Sequence, residues 1–398
     1  MLSSLALIFI VGLSAAGICK AIKLPRIIGM LAVGAVLGPY VLNLLDPSIL
    51  GISSELRKMA LVIILIKAGL SLNVRDLKQV GRPAILMSFL PAVFEMLGCM
   101  LIAPPLLGIS LTESALVGAV LGAVSPAVVV PKMVQLIEQK LGTNKKIPQL
   151  ILAGASLDDV FVIVLFSVFL GMNSGDGVSL IKFADIPISI ITGVVGGILV
   201  GIILSLVFEW SYKHSRLIKN SMKVVLILGS AFSLVAFEDL VAKLFAFSGL
   251  LAVMSMACTV QLKSIKSVSE RLSQKFGKIW IAAEVILFVL VGAAVDLRYT
   301  LSAGLPALLL ILGALVFRSV GVAISLVKTN LNRKERLFCV IAYLPKATVQ
   351  AAIGSVPLAM GLKCGNLVLS VAVLSIVVTA PLGAFLMEIT QNKLLDKE

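Results

Sequence analysis

Residues 151–172 read "ILAGASLDDVFVIVLFSVFLGM" and set two adjacent carboxylates, Asp158 and Asp159, inside an otherwise apolar run. Uncharged flanks extend from Pro148 to Met172, long enough for a helix to cross a bilayer. A charge at the centre of such a helix costs roughly 2.5–3.5 kcal/mol on insertion scales, so a side-by-side pair needs a physical reason. Both carboxylates fall about 15–18 Å along the helix, near the middle of the membrane.

The rest of the chain sets this run in context. Of 398 residues, 59% are hydrophobic and only 14% charged, and the mean hydropathy is +1.11. That leaves too little polar surface to cover a water-soluble globule. In lipid only helices or closed barrels satisfy the backbone, and the apolar runs here are continuous rather than alternating, which selects helices. Thirteen candidate spans lie near 2–19, 24–45, 59–73, 83–107, 113–131, 148–171, 186–209, 222–242, 244–261, 279–296, 301–326, 337–360 and 365–388. The expected fold is therefore an all-α polytopic membrane protein.

The net charge of +14 raises nucleic acid as a partner, but the placement of the charges argues against it. If loops alternate sides, 25 of the 34 Lys and Arg fall after odd-numbered spans or in the C-terminal tail, and six on the other side. This is the positive-inside pattern, with the N-terminus outside and the C-terminus cytoplasmic. Basic loops beside anionic lipid need no further partner. The five cysteines show no CxxC spacing, and the single histidine, His214, sits in a basic loop without ligand partners, so neither a disulfide framework nor a metal cluster is expected. The opening run has no basic residue before Lys20 and reads as a first span rather than a cleaved leader.

Two spans carry a proline at mid-depth next to small and polar residues: "GAVLGAVSPAVVVP" (118–131) and "AYLPKATVQAAIGSVP" (342–357). Proline removes a backbone donor and strains the preceding turn, so each helix is expected to break near Pro126 or Pro345. Backbone freed at bilayer depth is tolerated only inside protein or beside water, and matching interrupted spans in two halves point to a transporter of inverted repeats. Spans 1–6 and 8–13 would be the repeats, with span 7 connecting them. A pair of ordinary proline kinks is the competing reading.

The Lys and Arg outside the loops are Lys67, Arg318 and Lys346, and the acids deep in spans are Glu95, Asp158, Asp159 and, less deeply, Glu284. Lys67 and Glu284 lie near span ends and can snorkel. Glu95 and Arg318 can form a structural ion pair, and Lys346, just after Pro345, can neutralise the negative end of a half-helix. Near the midplane, three acids (Glu95, Asp158, Asp159) face two bases, which leaves one acid over. Adjacent helix positions point about 100° apart, so one aspartate can meet a base while the other faces a cavity. A surplus carboxylate crowded by its neighbour and shielded from water can hold a proton or a small monovalent cation, but not both.

"GASLDDVF", "LGAVSPAVVVPKM", "LIKAGLSL", "VLVGAAVDL" and "LPKATVQAAIG" together resemble the monovalent cation:proton antiporter superfamily, in particular its NHA-like sodium/proton antiporter branch, over most of the chain and in the same order. The resemblance implies two inverted repeats with two broken crossing helices, and core transport helices at 82–171 and 298–398. It implies panel or dimerisation helices at 1–81 and 222–297, a connecting helix at 172–221, and a homodimer in the cytoplasmic membrane. It also implies exchange of Na+ or Li+ for H+ through an elevator-like movement, with no cofactor. Residue by residue, Asp159 matches the aspartate that binds cation and proton, and Asp158 its neighbour, so Na+ would sit at this pair. Glu95 and Arg318 match an acid–base pair of the branch, and Lys346 the lysine of the second crossing helix. Ser125, Ser156 and Thr348 are candidate backbone or side-chain ligands. Where electrogenic bacterial relatives often have lysine, this chain has Arg318, which cannot release a proton; the number of protons per cation and the partner of Asp158 stay open.

Alternatives within transport are a K+/H+ exchanger or a sodium-coupled organic-anion symporter on a related fold. An enzyme is not expected: an intramembrane aspartyl protease needs its two aspartates on separate helices facing one water, and these are neighbours on one. A passive channel lacks carbonyl-rich filter loops.

Overall fold

A computed structural model of the chain describes residues 1–22, 24–71, 81–174, 180–213, 220–241, 244–296 and 304–397. Among them the chain is helical, with one isolated bridge between Leu141 and Lys397. Among the described residues seven helices are long and apolar enough to cross a membrane by length and composition, and shorter apolar helices lie between them. Among the described residues each of the thirteen apolar runs contains helix. His214 lies outside the described residues.

The chain divides into two compact units. The first comprises Met1–Ser54, Asn73–Gly175 and Leu287–Glu398. Its two interrupted spans begin alike. Ser110 caps Leu111–Leu121 and Asn332 caps Arg333–Ala342, each through a capping box whose third-position glutamate, Glu113 or Glu335, bonds back to the cap residue. Both then stop in mid-span. Leu111–Leu121 ends before Gly122, and the chain is non-helical until Pro126 opens Pro126–Glu138. Proline suits that first helical position, where its missing N–H would have had no partner. Arg333–Ala342 likewise ends before Tyr343, and Thr348–Gly354 resumes after the segment containing Pro345.

Three unbroken helices frame these breaks: Leu90–Leu107, Ile147–Asn173 and Gly304–Ser325. Small residues let them approach closely, as expected where lipid supplies no hydrophobic drive between helices. A Cβ on Gly321 would lie 2.8 Å from Pro91 Cα. The final helix, Gly365–Leu394, passes Pro345 at Gly383, where a Cβ would sit 2.4 Å from the proline ring. An apolar cluster including Met87, Val124, Ile151, Phe338, Tyr343 and Met387 fills one side of the crossing.

The second unit comprises Glu55–Leu72 and Asp176–Ile286. Gly193, Gly197 and Gly201 recur every fourth residue on Leu180–Lys213 and seat that helix against Gly249–Lys263. A Cβ on Gly197 would stand only 2.2 Å from the Ala252 carbonyl oxygen. Lys67 holds its ammonium 5.7 Å from the Trp280 ring centroid, a cation–π contact available to a half-buried lysine without reaching water. Outward-facing Leu, Ile, Val and Phe side chains such as Leu2, Ile10, Leu199 and Phe385 supply the apolar exterior that lipid requires.

Candidate functional site

The breaks expose backbone groups that the helices no longer satisfy, and buried side chains meet them one by one. At the first break, Arg318 Nη1 donates to the Gly122 carbonyl and Lys346 Nζ to the Leu121 carbonyl. Gln350 Nε2 donates to the Ala123 carbonyl at 2.7 Å. The Val124 N–H donates to Asp158 Oδ2 at 2.7 Å. Where the two breaks cross, the Ser125 N–H donates to the Pro345 carbonyl at 2.8 Å. At the second break, Arg318 Nε donates to the Tyr343 carbonyl at 2.6 Å. The Lys346 N–H donates to Thr379 Oγ1 and the Ala347 N–H to Gln350 Oε1, both at 2.9 Å.

The charged side chains form one chain of contacts. Arg318 Nη1 donates to Glu95 Oε2 at 2.7 Å, and Nη2 reaches Asp158 Oδ2 at 3.3 Å. Lys346 Nζ donates to Glu95 Oε2 at 2.8 Å. Glu95, Asp158, Arg318 and Lys346 are fully buried; Asp159 keeps 5% exposure. Carbonyl ends of two half-helices, Glu95 and Asp158 all concentrate negative potential here, and the guanidinium and ammonium answer it. Arginine suits the shared position because its planar fork serves several acceptors at once. Arg318 is therefore the base that meets Asp158, and Lys346 is committed to Glu95.

Asp159 is left outside this exchange. Its Oδ1 has no hydrogen-bond partner among the described residues, and neither do Asp158 Oδ1, Ser125 Oγ, Thr348 Oγ1 or the Tyr343 hydroxyl, all buried. Buried polar atoms are rarely left so, and carboxylate and hydroxyl oxygens with unused lone pairs are groups that a hard cation or a proton can satisfy. Among the described residues no group of three or more His, Cys, Asp or Glu is arranged to hold a metal ion; the unpartnered oxygens named above belong to two carboxylates and three hydroxyls, and Glu95 Oε1 also lacks a hydrogen bond. Ser156 lies in Ile147–Asn173, but its side chain is outside the described residues.

Gln350 and Thr379 were not singled out from sequence. Both are uncharged, and only the backbone groups they satisfy give them a role. Gln350 stands inside "LPKATVQAAIG", and a polar side chain within a broken apolar span was the signal available.

Tyr343 packs its hydroxyl against Gly154, one turn before Asp158. A Cβ on Gly154 would fall 2.1 Å from that oxygen and 3.0 Å from Met87 Cβ. Gly154→Ala is therefore expected to destabilise the protein by about 1–3 kcal/mol, the usual cost of overpacking. Tyr343→Phe in the same chain should restore most of the loss by removing the oxygen. Thermal unfolding of the single and double variants checks this; equal loss in both would show that the contact is not the cause.

Comparison with known proteins adds three findings. Residues 5–389 match the sequence family described as "Sodium/hydrogen exchanger, transmembrane". Sodium/hydrogen exchanger 9B2 of Xenopus tropicalis is 33% identical over 356 residues, covering 87% of this chain and 64% of that protein. The Homo sapiens protein of the same name is also 33% identical, covering 87% of this chain and 65% of its own length. The chain thus spans a little under two thirds of these relatives. In fold, the sodium proton antiporter MjNhaP1 from Methanocaldococcus jannaschii, solved at pH 8, superposes with a TM-score of 0.85 at 22% identity, over 99% of this chain and 98% of that one.

Proposed function

Because the chain belongs to the sodium/hydrogen exchanger family, we propose that it exchanges Na+ or Li+ for H+ across the cytoplasmic membrane, with Asp159 as the group over which cation and proton compete. One observation carries this reading: the two bases of the site are committed to Glu95, Asp158 and three freed carbonyls, while Asp159 Oδ1 has no hydrogen-bond partner among the described residues. A buried carboxylate in that position is neutralised by a proton or by a monovalent cation, and loading one expels the other. Asp158 Oδ1, Ser125 Oγ and Thr348 Oγ1 are the oxygens we assign as further ligands, with Ser156 retained as a fourth candidate.

The proposal includes alternating access. Residues 82–171 and 298–398 would move as transport helices against a panel of 1–81 and 222–297, with 172–221 as connector and two copies joined through their panels. The two halves would be inverted repeats, with the N-terminus outside and the C-terminus in the cytoplasm. The protein is a transporter in this reading, not an enzyme, and uses no cofactor. Purified protein in liposomes, challenged in turn with sodium, lithium and potassium, tests it. Proton efflux driven by sodium or lithium is expected; a response to potassium alone would identify a K+/H+ exchanger, and coupling only in the presence of an organic anion would identify a symporter.

Stoichiometry follows from Arg318. Its guanidinium never releases its proton, so Arg318 is no carrier; with Asp158 paired to it, we assign proton carriage to Asp159, one per cation. Sodium gradients are then expected to move no net charge on solid-supported membranes, in the wild type and in Asp158→Asn alike. A sodium-driven current that disappears in Asp158→Asn would make Asp158 a second proton carrier and overturn this count.

A further inference from the structure

At the basic end of the first unit lies a groove of about 370 Å³ that the exchange reaction does not use. The loop before Ile147–Asn173 contributes Asn144, Lys145 and Lys146; the loop after Gly304–Ser325 contributes Lys328, Thr329 and Asn330. Pro83, Leu150 and Leu331 form apolar wall.

The charge in this groove is unbalanced. Glu335, fully buried at its edge, pairs with Lys145 at 2.9 Å and accepts the Asn332 N–H at 2.6 Å. It is spent on these two donors. Lys146 and Lys328 have no carboxylate partner among the described residues, so two ammonium groups line the groove without a counter-charge.

The walls are also held in place. Arg336, half-buried, donates to the Leu331 carbonyl at 3.0 Å and the Thr329 carbonyl at 3.2 Å. The Lys145 N–H is bonded to Asn144 Oδ1 at 2.8 Å. Lys146 and Lys328 hold left-handed backbone angles, φ 55° and 60°, in company with only Asn43 and Lys140 among the described non-glycine residues. A lysine gains nothing locally from that conformation, and such outliers persist where the surroundings over-determine them. Uncompensated cations on fixed loops, an amide side chain between them and apolar residues behind are elements of a phosphate-recognition site.

We propose that this groove binds a phosphate group, either the headgroup of an anionic lipid or a free phosphate. Its place in the chain gives it leverage. Lys146 precedes the helix that carries Asp158 and Asp159, and Lys328 follows the helix that carries Arg318. A phosphate held between them would tie the ends of the two helices together at a distance from the ion-exchanging carboxylates.

The test uses the full chain, stripped of lipid in neutral detergent, with binding as the readout so that it stands apart from transport. Native mass spectrometry with phosphatidylglycerol against phosphatidylcholine gives one arm. Thermal unfolding with inorganic phosphate against chloride at equal ionic strength gives the other. Lys146→Gln/Lys328→Gln removes both uncompensated charges, Lys146→Arg/Lys328→Arg keeps them, and Lys334→Gln removes an exposed lysine that does not line the groove. Binding is expected to weaken about tenfold or more in the double glutamine variant. The arginine variant and Lys334→Gln should bind as the wild type. Retention of phosphatidylglycerol alone identifies a lipid headgroup; stabilisation by inorganic phosphate identifies a soluble anion. Equal binding in the wild type and the double glutamine variant, or none in either, overturns the proposal.

Discussion

Asp159→Asn is expected to reduce cation-dependent proton movement in everted vesicles to the level of vesicles lacking the protein, while raising thermal stability. The two effects share one cause. Asp159 sits next to Asp158 in a buried site, and its Oδ1 has no partner among the described residues. An uncompensated buried charge is a cost to the fold, and asparagine of the same shape removes it. Asparagine also has no proton to exchange and no charge to offer a cation. Sodium should stabilise the wild type against heat by mass action and leave Asp159→Asn unmoved. Near-normal exchange in this variant would remove Asp159 as the competing site, and sodium-dependent stabilisation that survives would place the cation elsewhere.

Arg318→Ala should act in the opposite sense, with a large loss of stability. The side chain donates to Glu95, Asp158 and the carbonyls of Gly122 and Tyr343, all buried. Its removal leaves Asp158 with the Val124 N–H but no base, Glu95 with Lys346 alone, and two backbone acceptors bare, and breaking a buried ion pair in this way costs roughly 3–5 kcal/mol before the carbonyls are counted. Poor recovery of folded protein is expected, along with a lowered unfolding temperature. Arg318→Lys should fall between, since one ammonium cannot reproduce the fork that reaches both breaks. Glu95→Gln in the Arg318→Ala background should recover part of the loss. Unchanged unfolding temperature together with a large shift in cation affinity would make Arg318 part of the ion path rather than its scaffold.

The fold was readable because lipid leaves few solutions for the backbone. Among the described residues each apolar run named from hydropathy contains helix, and both prolines stand at the breaks. Run ends were less legible. The third span begins in the structure at Ser53, upstream of the apolar stretch, because Glu55, Arg57 and Lys58 are good helix formers whose charge hides a helical start. The second stops at Leu37, before Gly38, although hydropathy continues. Within the candidate site, the five charged residues could be counted, and the surplus acid follows from the count. Their pairing could not. Arg318 meets Glu95 and Asp158 across 223 and 160 residues, and what brings it there is the demand of carbonyls released at two breaks, which side-chain chemistry does not announce. The same demand explains Gln350 and Thr379, whose partners are backbone atoms.

The half-helices also constrain how the protein is made. Leu111–Leu121 has 11 residues and Pro126–Glu138 has 13, which at 1.5 Å per residue gives about 16 and 20 Å, short of a hydrocarbon layer of about 30 Å. Neither enters lipid as an independent crossing. Ribosomal synthesis delivers Glu95, the first break, Asp158 and Asp159 well before Arg318 and Lys346 emerge. The nascent amino-terminal half must therefore wait with three acids and several bare peptide groups until the other half docks. Closure of the site is thus expected only after the second half has been made, when Arg318 and Lys346 can reach the acids and carbonyls of the first.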